Sequence, residues 1–484
     1  MSGKRSEIMD KLTSLAKQRG FIFQSSEIYG GLGSTWDYGH LGVELKRNIK
    51  NRWWRDIVTA RQDVVGMDAA ILMHPKVWEA SGHVEKFHDL MVANRNNKKR
   101  YRLDHLLEAQ ETDVVSGLHE AVLGTALEGE ADTHAITAIV DGIVMDDKGL
   151  DLNQFGILAD GKKADWTVPR QFNLMFKTFI GPTDEETNRA YLRPETAQGI
   201  FVNFLNVQAA ARAKLPFGIA QMGKAFRNEI TTGNFIFRTR EFEQMEMEFF
   251  VRPEKTAEWL EYWSNARLEW YQSLGIRPEK LCLRPHGEDE LAHYSSACYD
   301  VEYEFPFGWS ELEGIADRGT YDLDQHQAYS GKKITYFDTQ ANQHIVPAVV
   351  EASAGVDRTI LTVLSDAYHE EQVKGETRVV LRLNPVLAPI TVAVFPLVNK
   401  EGMPELARRL VDDLQGDFAA FYDAGGSIGR RYRRQDEAGT PFGLTIDGQT
   451  LEDQTVTIRD RDTMEQERVS IDQVKACLRE KLAL

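Results

Sequence analysis

The chain has 484 residues, which is enough for two or three domains with their own hydrophobic cores. A formal net charge of −17 argues against a protein that coats nucleic acid nonspecifically, although segment 108–165 alone holds thirteen acidic and three basic side chains, which leaves room for a basic surface elsewhere. The three cysteines are too far apart for a disulfide framework or a Cys-x-x-Cys zinc site, and no apolar run approaches the roughly 20 residues that a membrane helix needs, so we expect a cytoplasmic protein without a membrane anchor.

The N-terminal hundred residues combine helices with a glycine-rich region. Residues 7–19 place apolar side chains at helical spacing and predict an amphipathic helix. Segment 26–42 is rich in glycine and aromatics but lacks the third glycine of a dinucleotide fingerprint, which favours tight backbone packing. A long helix is then predicted over 41–58, followed by a strand over 69–73 that ends before Pro75.

Segment 100–165 interrupts this pattern. It is acidic, it favours helices, and it ends in two weak turns, so we interpret it as an insertion. The insertion and a change of composition near residue 387 divide the chain into 1–99, 100–165, 166–386 and 387–484.

Segment 218–224 nearly spells a phosphate-binding loop, with Gly218, Gly223 and Lys224 at the required spacing. Two features argue against that function. Ala225 stands where Ser or Thr would bind magnesium, and an extended charged strand follows where a helix N-terminus is needed.

Segment 223–250 predicts an antiparallel hairpin closed by a turn over 230–234. Because side chains alternate along a strand, the first strand places Ala225, Arg227 and Glu229 on one face. In the second strand the polar face holds Arg240, Phe242, Gln244, Glu246 and Glu248, and the opposite face holds Met245, Met247 and Phe249. The methionine face requires a hydrophobic core, so the charged face must line something polar.

Further elements follow the hairpin. We predict a helix over 252–275, strands over 301–307, 308–316 and 345–353, and a helix over 359–369. In the second of these strands, alternation places Glu311, Glu313 and Ile315 on one face. His286 and His293 flank three acidic residues without the spacing of a metal site, which favours a solvated charged turn.

From residue 387, strands and helices alternate, which predicts a small α/β domain with a mixed sheet. Arginines cluster at 430–434. They could contact RNA phosphate, or they could form an exposed helix end that neutralises Asp436 and Glu437.

The hairpin sequences Phe-Arg-Asn-Glu (226–229) and Arg-x-x-x-Phe (238–242) resemble the second signature of the class II aminoacyl-tRNA synthetases. The motifs at 27–32, 193–199 and 351–358 and the C-terminal hundred residues are similar to the single-chain, homodimeric glycyl-tRNA synthetases. The resemblance implies an α/β (α+β) fold, with an antiparallel-sheet catalytic domain in 1–99 and 166–386 and a mixed-sheet anticodon-binding domain in 387–484.

The resemblance also implies the reaction and the partners. Glycine is activated by ATP with Mg²⁺ to glycyl-adenylate and is transferred to the 3′ end of glycine tRNA. Segment 41–75 resembles the first signature, which builds the dimer interface in that family, although an ordinary amphipathic helix shows the same pattern. Relatives often carry Cys-x-x-Cys pairs near the ends of the insertion, but residues 95–98 and 158–161 contain no cysteine here, so we expect no zinc.

The resemblance implies the site residues as well. Arg227 and Arg358 are catalytic, and Glu311 holds magnesium. The ATP-binding residues are Arg227, Asn228, Glu229, Phe237, Arg238, Phe242, Glu311, Leu312, Gly355, Asp357 and Arg358. The glycine-binding residues are Arg102, Glu195, Glu243, Glu246, Glu351 and Ser353.

Elementary chemistry agrees with these assignments. When a carboxylate attacks the α-phosphorus of ATP, negative charge builds on the phosphoryl oxygens, and a fixed arginine such as Arg227 stabilises it without reorganisation. Arg358 is placed to hold the far end of the triphosphate. Carboxylates such as Glu246 bind the glycine ammonium and leave no room for a larger side chain, although spacing alone supports only a small amino acid.

Three other functions fit this sequence less well. A synthetase-like accessory subunit of a DNA polymerase need not keep Arg227, Glu229 and Arg358 together, whereas this chain has all three. A phosphate-loop kinase is disfavoured by Ala225, and neither signature of the class I synthetases occurs.

Overall fold

The computed structural model describes residues 2–127, 129, 131–146, 150–183, 185–230, 233–287, 291 and 295–482. The chain begins with α1 (Ser2–Arg19), β1 (Ile22–Gln24), β2 (Trp36–Tyr38), α2 (His40–Trp54), β3 (Val64–Gly66), α3 (Pro75–Ala80) and α4 (His83–Lys86). A π-helical turn, Arg55–Thr59, extends α2. The two helices predicted in this part of the chain are therefore confirmed.

A separate hydrophobic core lies within residues 88–173. Its elements are β4 (His88–Ala93), β5 (Arg100–Arg102), α5 (Leu103–Glu108), α6 (Thr112–Leu123), α7 (Thr133–Asp146), β6 (Leu158–Ala159), β7 (Lys162–Lys163) and β8 (Arg170–Asn173). Strand β4 lies between β5 and β8 in an antiparallel sheet, and buried Leu118, Ile139 and Trp166 pack in the core. The folded unit thus extends beyond the predicted insertion at both ends.

The central part of the chain forms the largest sheet. Its elements are β9 (Lys177–Phe179), β10 (Arg189–Tyr191), α8 (Ala197–Ala211), β11 (Phe217–Phe226), β12 (Glu241–Val251), α9 (Thr256–Ser273), β13 (Leu281–Pro285), β14 (Ala297–Phe305), β15 (Gly308–Gly319), α10 (Tyr321–Ser330), β16 (Tyr336–Asp338), β17 (Gln343–Ile345), β18 (Ala348–Gly355), α11 (Val356–Ala367), β19 (Tyr368–Val373) and β20 (Glu376–Leu381). Seven strands pair in the order β13-β14-β15-β18-β12-β11-β3, and all neighbours are antiparallel except β11 and β3.

The two faces of this sheet differ as the alternation in β12 predicts. Met245, Met247 and Phe249 are fully buried in the main core, where side chains of α2, α9 and α11 also pack. The polar residues of β12 therefore point to the other face of the sheet. This confirms the prediction that the second hairpin strand has one polar and one apolar face.

The first hairpin strand ends earlier than alternation predicts. Strand β11 stops at Phe226, so Arg227 and Glu229 lie beyond it, and Ala225 is fully buried. The chain leaves β12 here because the backbone N–H of Asn228 donates to the carbonyl of Leu174 at 2.7 Å. Residues 231 and 232 of the predicted turn lie outside the described residues.

A β-bulge changes the expected faces of β15. Glu311 pairs with Glu302 and Glu313 pairs with Val301, which leaves Leu312 as the extra residue. Leu312 packs in the main core, and Glu313 binds Arg267 of α9 at 2.6 Å. The prediction that Glu311 and Glu313 share a face is therefore wrong.

The strand predicted over 69–73 is also wrong. Strand β3 precedes this segment, and Leu72 forms only an isolated bridge to Leu192. The backbone of Ala69 is held by side chains instead: its N–H donates to Gln221 at 3.0 Å, and its carbonyl accepts from Arg193 at 2.8 Å.

The C-terminal part folds around its own core, as the alternation predicts. Its elements are β21 (Val392–Pro396), α12 (Met403–Leu414), β22 (Ala420–Tyr422), α13 (Ile428–Ala438), β23 (Phe442–Ile446), α14 (Gly448–Asp453), β24 (Thr455–Asp460), β25 (Gln466–Ser470) and α15 (Val474–Leu482). The sheet order is β22-β21-β23-β24-β25, with the first two pairs parallel and the last two antiparallel. The sheet is therefore mixed.

The junction between the two large domains is held by buried charges. Asp436 of α13 binds Arg378 of β20 at 2.8 Å and Arg459 of β24 at 3.0 Å, while Glu437 binds Arg19. The arginines at 430–434 therefore do not neutralise these two acidic residues as one interpretation expected. Within the described residues, no helix is both long and apolar enough to cross a membrane.

Candidate active site

A cavity of about 410 Å³ opens on the polar face of the seven-stranded sheet. Small-molecule sites usually have volumes of this order. Strands β12, β15 and β18 contribute to its lining, together with the segment after β11 and the start of α11. The predicted residues that line it are Glu195, Arg227, Glu229, Phe237, Arg238, Phe242, Glu246, Glu311, Glu351, Ser353, Gly355, Asp357 and Arg358.

Arg227 is held in the cavity wall by one backbone contact and two rings. Its Nε donates to the carbonyl of Pro194 at 3.0 Å. Its guanidinium lies 5.3 Å from the ring centre of Phe242 and 5.4 Å from that of Phe87. The guanidinium is planar, so this hydrogen bond to the backbone fixes the orientation of the whole group. The remaining N–H donors of Arg227 therefore keep a fixed direction.

Arg358 lies in the first turn of α11 and lines the same cavity. Its Nη1 lies 3.0 Å from the carboxylate of Glu311, and its Nε donates to the carbonyl of Phe237 at 3.3 Å. Arg358 lowers the pKa of Glu311 and outweighs the opposing effect of burial. The two arginines and one ionised carboxylate thus face a shared space.

Three carboxyl groups, those of Glu195, Glu246 and Glu351, are buried at the floor of the cavity. Glu195 lies 3.2 Å from the ring of His83, and Glu351 accepts from Arg318 at 3.1 Å. Glu246 forms no ion pair with any described residue. The floor therefore combines two paired carboxylates with one that lacks a cation.

Burial and the neighbouring carboxylates of Glu351 and Glu195 raise the pKa of Glu246 to about 8, although the hydroxyl of Thr196 donates to it. Burial opposes ionisation of Glu195, but His83, Arg318 and Gln198 together outweigh burial and hold the pKa of Glu195 below its ordinary range. Near neutral pH the floor thus favours a protonated carboxyl group at Glu246.

Two residues expected to bind ATP lie outside the cavity lining. The bulge in β15 turns Leu312 into the core, where it is 1% exposed. Asn228 is absent from the lining, and its backbone N–H donates to the carbonyl of Leu174 at 2.7 Å. Neither residue therefore belongs to the surface of the cavity.

Two residues expected to bind glycine also lie outside the lining. Glu243 points to α2, where Lys50 donates to it at 2.6 Å and Lys46 forms an ion pair with it. Arg102 lies on β5, where its Nε donates to Asp104 at 3.1 Å. Both side chains are committed to partners other than the cavity.

The cavity includes a polar group that sequence reasoning missed. His286 binds Asp300 at 2.8 Å, so the prediction of a solvated turn is wrong for His286, while His293 lies outside the described residues. Cys298 lies on the same face, with its Sγ within 4.8 Å of both partners, close enough for one metal ion to contact all three. Burial raises the pKa of Cys298 to about 12. The two-residue spacing of Cys298 and Asp300 on a strand was the available signal.

Two families match this chain. Residues 176–367 match the family described as tRNA synthetase class II core domain (G, H, P, S and T), and residues 391–481 match the family described as anticodon binding domain. The glycine–tRNA ligase of Macrococcus caseolyticus (strain JCSC5402) is 52% identical over 476 residues, which cover 98% of each chain. The glycine–tRNA ligase of Staphylococcus aureus (strain JH9) is 50% identical over 475 residues, again 98% of each chain.

Solved structures share the fold at low sequence identity. Prolyl-tRNA synthetase from Cryptosporidium parvum in complex with halofuginone and AMPPNP matches with a TM-score of 0.62 and 12% identity, over 98% of this chain and 76% of that chain. The same enzyme in complex with L-proline and AMP matches with a TM-score of 0.60 and 11% identity, over 98% and 77% of the two chains.

Proposed function

This chain belongs to the glycine–tRNA ligases, a family of class II aminoacyl-tRNA synthetases, and from this premise we propose which residues carry out each part of the reaction. The enzyme uses ATP to activate glycine and transfers the glycyl group to tRNA. In the first step a glycine carboxylate oxygen bonds to the α-phosphorus as the bond to pyrophosphate breaks. No general base is needed, because the attacking carboxylate is already ionised.

One observation carries the proposal: Arg227 and Arg358 line a single cavity whose floor holds Glu195, Glu246 and Glu351. Cations for a triphosphate and carboxylates for an ammonium group therefore meet within about 410 Å³. A noncatalytic subunit with this fold would have no need for that combination. Positioning and fixed charge can then supply most of the catalysis.

ATP occupies the arginine end of the cavity. Arg227 stabilises the charge that develops on the α-phosphoryl oxygens, and Arg358 holds the far phosphates. Phe242 offers a ring for the adenine, and Glu229 accepts a hydrogen bond from its amino group. The guanidinium of Arg227 lies 5.3 Å from the ring centre of Phe242. This distance supports the arrangement, because the phosphates of a nucleotide whose base stacks on Phe242 would lie close to Arg227.

Glu311 fits a magnesium ion that accompanies ATP. Its carboxylate lines the cavity, is half-exposed and has a lowered pKa, and magnesium prefers such ionised oxygen ligands. When bound, the ion supplies positive charge that neutralises the phosphates. Glu311 also contacts Arg358, so one carboxylate orders both cationic partners of the phosphates.

Glycine occupies the acidic floor. Glu246 receives the ammonium group, because it is the floor carboxylate without a cationic partner among the described residues, and Glu195 and Glu351 complete the acidic surroundings. Ser353 lies opposite Glu246 on β18 and narrows the subsite. A larger amino acid would have to displace these buried carboxylates, which explains selection for the smallest one.

The C-terminal domain binds the anticodon of a glycine tRNA, in keeping with the family match over 391–481. We also propose a homodimer. Ile28 and Tyr29 are 89% and 87% exposed, and large apolar side chains exposed together mark contact surfaces. Sedimentation of the Ile28→Asp variant at micromolar concentration should give a monomer if this loop lies in the interface, and an unchanged dimer would contradict that placement.

The test of the catalytic assignment is glycine-dependent exchange of labelled pyrophosphate into ATP. Arg227→Ala should lower the exchange rate about 10²–10³-fold, the usual effect of removing one fixed donor to a developing anion. Arg479→Ala, which removes a half-exposed arginine of α15 far along the chain, is the matched control and should exchange normally. Exchange without glycine, or exchange unaffected by Arg227→Ala, would contradict the assignment.

A further inference from the structure

Glu248 is a fully buried carboxyl group that the reaction described above does not use. It lies on β12, two residues after Glu246 and on the same face of the sheet. Neither of its side-chain oxygens has a hydrogen-bond partner among the described residues. Buried polar groups without partners are uncommon, and those in native proteins call for an explanation.

The neighbours of Glu248 are apolar on one side and acidic on the other. In the sheet register, fully buried Ile219 of β11 lies opposite Glu248 on one side, and Glu351 of β18 lies opposite on the other. Oxygens of Glu246, Glu248 and Glu351 all lie within 4.8 Å of one another. Glu248 therefore lies next to the acidic floor without lining the cavity.

The charges that face Glu248 do not compensate an ionised carboxylate. Glu246 and Glu351 belong to its own sheet, and Asp322 of α10 adds a third negative group. Arg318 is the facing cation, but it already binds Glu351 at 3.1 Å and Asp322 at 2.7 Å. An ionised Glu248 would add negative charge to a floor that already has an excess of it.

We propose that Glu248 is a positioning residue for the amino-acid subsite: it stays protonated beside Glu246 and Glu351 and, as a neutral O–H donor, holds these two carboxylates in place for the glycine ammonium. This inference rests on the proposed glycine subsite. Burial and Glu351 raise the pKa of Glu248 well above its usual range, although Arg318 opposes them. Glu248 donates its proton to one bridging water, which in turn donates to the two neighbouring carboxylates, since 4.8 Å is within the span of such a bridge.

The experiment compares two substitutions at Glu248 with one at Glu246, using the KM for glycine and for ATP in pyrophosphate exchange. Glu248→Gln keeps a neutral donor of the same shape and should keep the glycine KM within about threefold of wild type. Glu248→Met keeps the volume but removes the donor, and should raise the glycine KM at least about tenfold with little change for ATP. Glu246→Gln is the control for the subsite itself and should raise the glycine KM more than either.

Between about pH 6 and pH 9 the wild type and Glu248→Gln should also show the same pH profile of kcat/KM, because Glu248 does not change charge in that range. A large rise in glycine KM in Glu248→Gln, or a pH inflection present only in the wild type, would overturn the proposal. A loss in Glu248→Gln that added Mg²⁺ reverses would assign the cluster to a cation and also overturn it. A normal KM in a folded Glu248→Met would show that no donor is needed.

An unaffected Glu246→Gln has a different meaning. It would reject the glycine subsite, and the inference about Glu248 would fail with it. Wild-type kinetics in Glu246→Gln therefore show that the proposed glycine subsite is wrong. If Glu246→Gln raises the glycine KM as expected but the Glu248 variants do not behave as expected, only the inference about Glu248 is rejected.

Discussion

Replacing Glu246 by Gln should stabilise the unliganded protein, and the gain should grow with pH. The reason is the pKa of about 8 in the folded state, against 4.5 for an ordinary glutamate. The folded protein holds a proton that the unfolded chain has already released. The stability due to this proton is complete below the unfolded pKa and is lost as the pH rises through the folded pKa.

The two pKa values give the size of the effect. Between about pH 5.5 and pH 8.5 the wild type should lose on the order of 3 kcal/mol of unfolding free energy through Glu246 alone, and the glutamine variant should not. At about 2–4 °C per kcal/mol for a domain of this size, the melting midpoint of the variant should gain roughly 6–12 °C on the wild type over that range.

The assay is differential scanning calorimetry of both proteins at the two pH values, without glycine or ATP. Glu243→Gln is the matched control on the same strand. Burial opposes ionisation of Glu243, but Lys46 and Lys50 outweigh burial and lower its pKa, so it is ionised throughout this range. That variant should lose stability equally at both pH values. A midpoint difference between Glu246→Gln and wild type that does not change with pH would refute the reasoning.

Three further outcomes follow from the contacts. Phe242→Ala should raise the KM for ATP about tenfold and leave that for glycine near wild type, as measured by exchange kinetics, because a stacked base is worth roughly 1–3 kcal/mol. Arg358→Ala should also raise the KM for ATP more than that for glycine, and equal effects on both substrates would place Arg358 elsewhere. Arg378→Ala should lower the unfolding free energy by up to about 3–5 kcal/mol, because it removes a partner of buried Asp436. The side chain of Arg382 is exposed, so Arg382→Ala is the control and should change the melting midpoint little.

Local alternation predicted the faces of β12 because side chains of a strand alternate whatever its partners are. It did not predict the bulge at Leu312, since a bulge depends on the register between β14 and β15. The strand placed at 69–73 failed for a related reason. Its backbone is bound by Gln221 and Arg193, which lie far away in the chain.

Buried charges show the same limit. Asp436 stands beside several arginines in the sequence of α13, yet its partners are Arg378 of β20 and Arg459 of β24. Glu195 and Glu351 were assigned by resemblance, because no local pattern joins residues so far apart. The sheet order brings Glu246 and Glu351 together, because β12 and β18 lie side by side, while Glu195 reaches the same cavity from the connection between β10 and α8.

Because of the bulge, the direction in which each side chain of β15 points depends on the number of residues in the strand as well as on their identity. Deletion of Ser310 would restore regular pairing and rotate the carboxylate of Glu311 out of the cavity and toward the helices. Natural variants and engineered libraries should accordingly tolerate substitutions in this strand far better than single-codon deletions, and loop-length changes should be confined to the segments outside it.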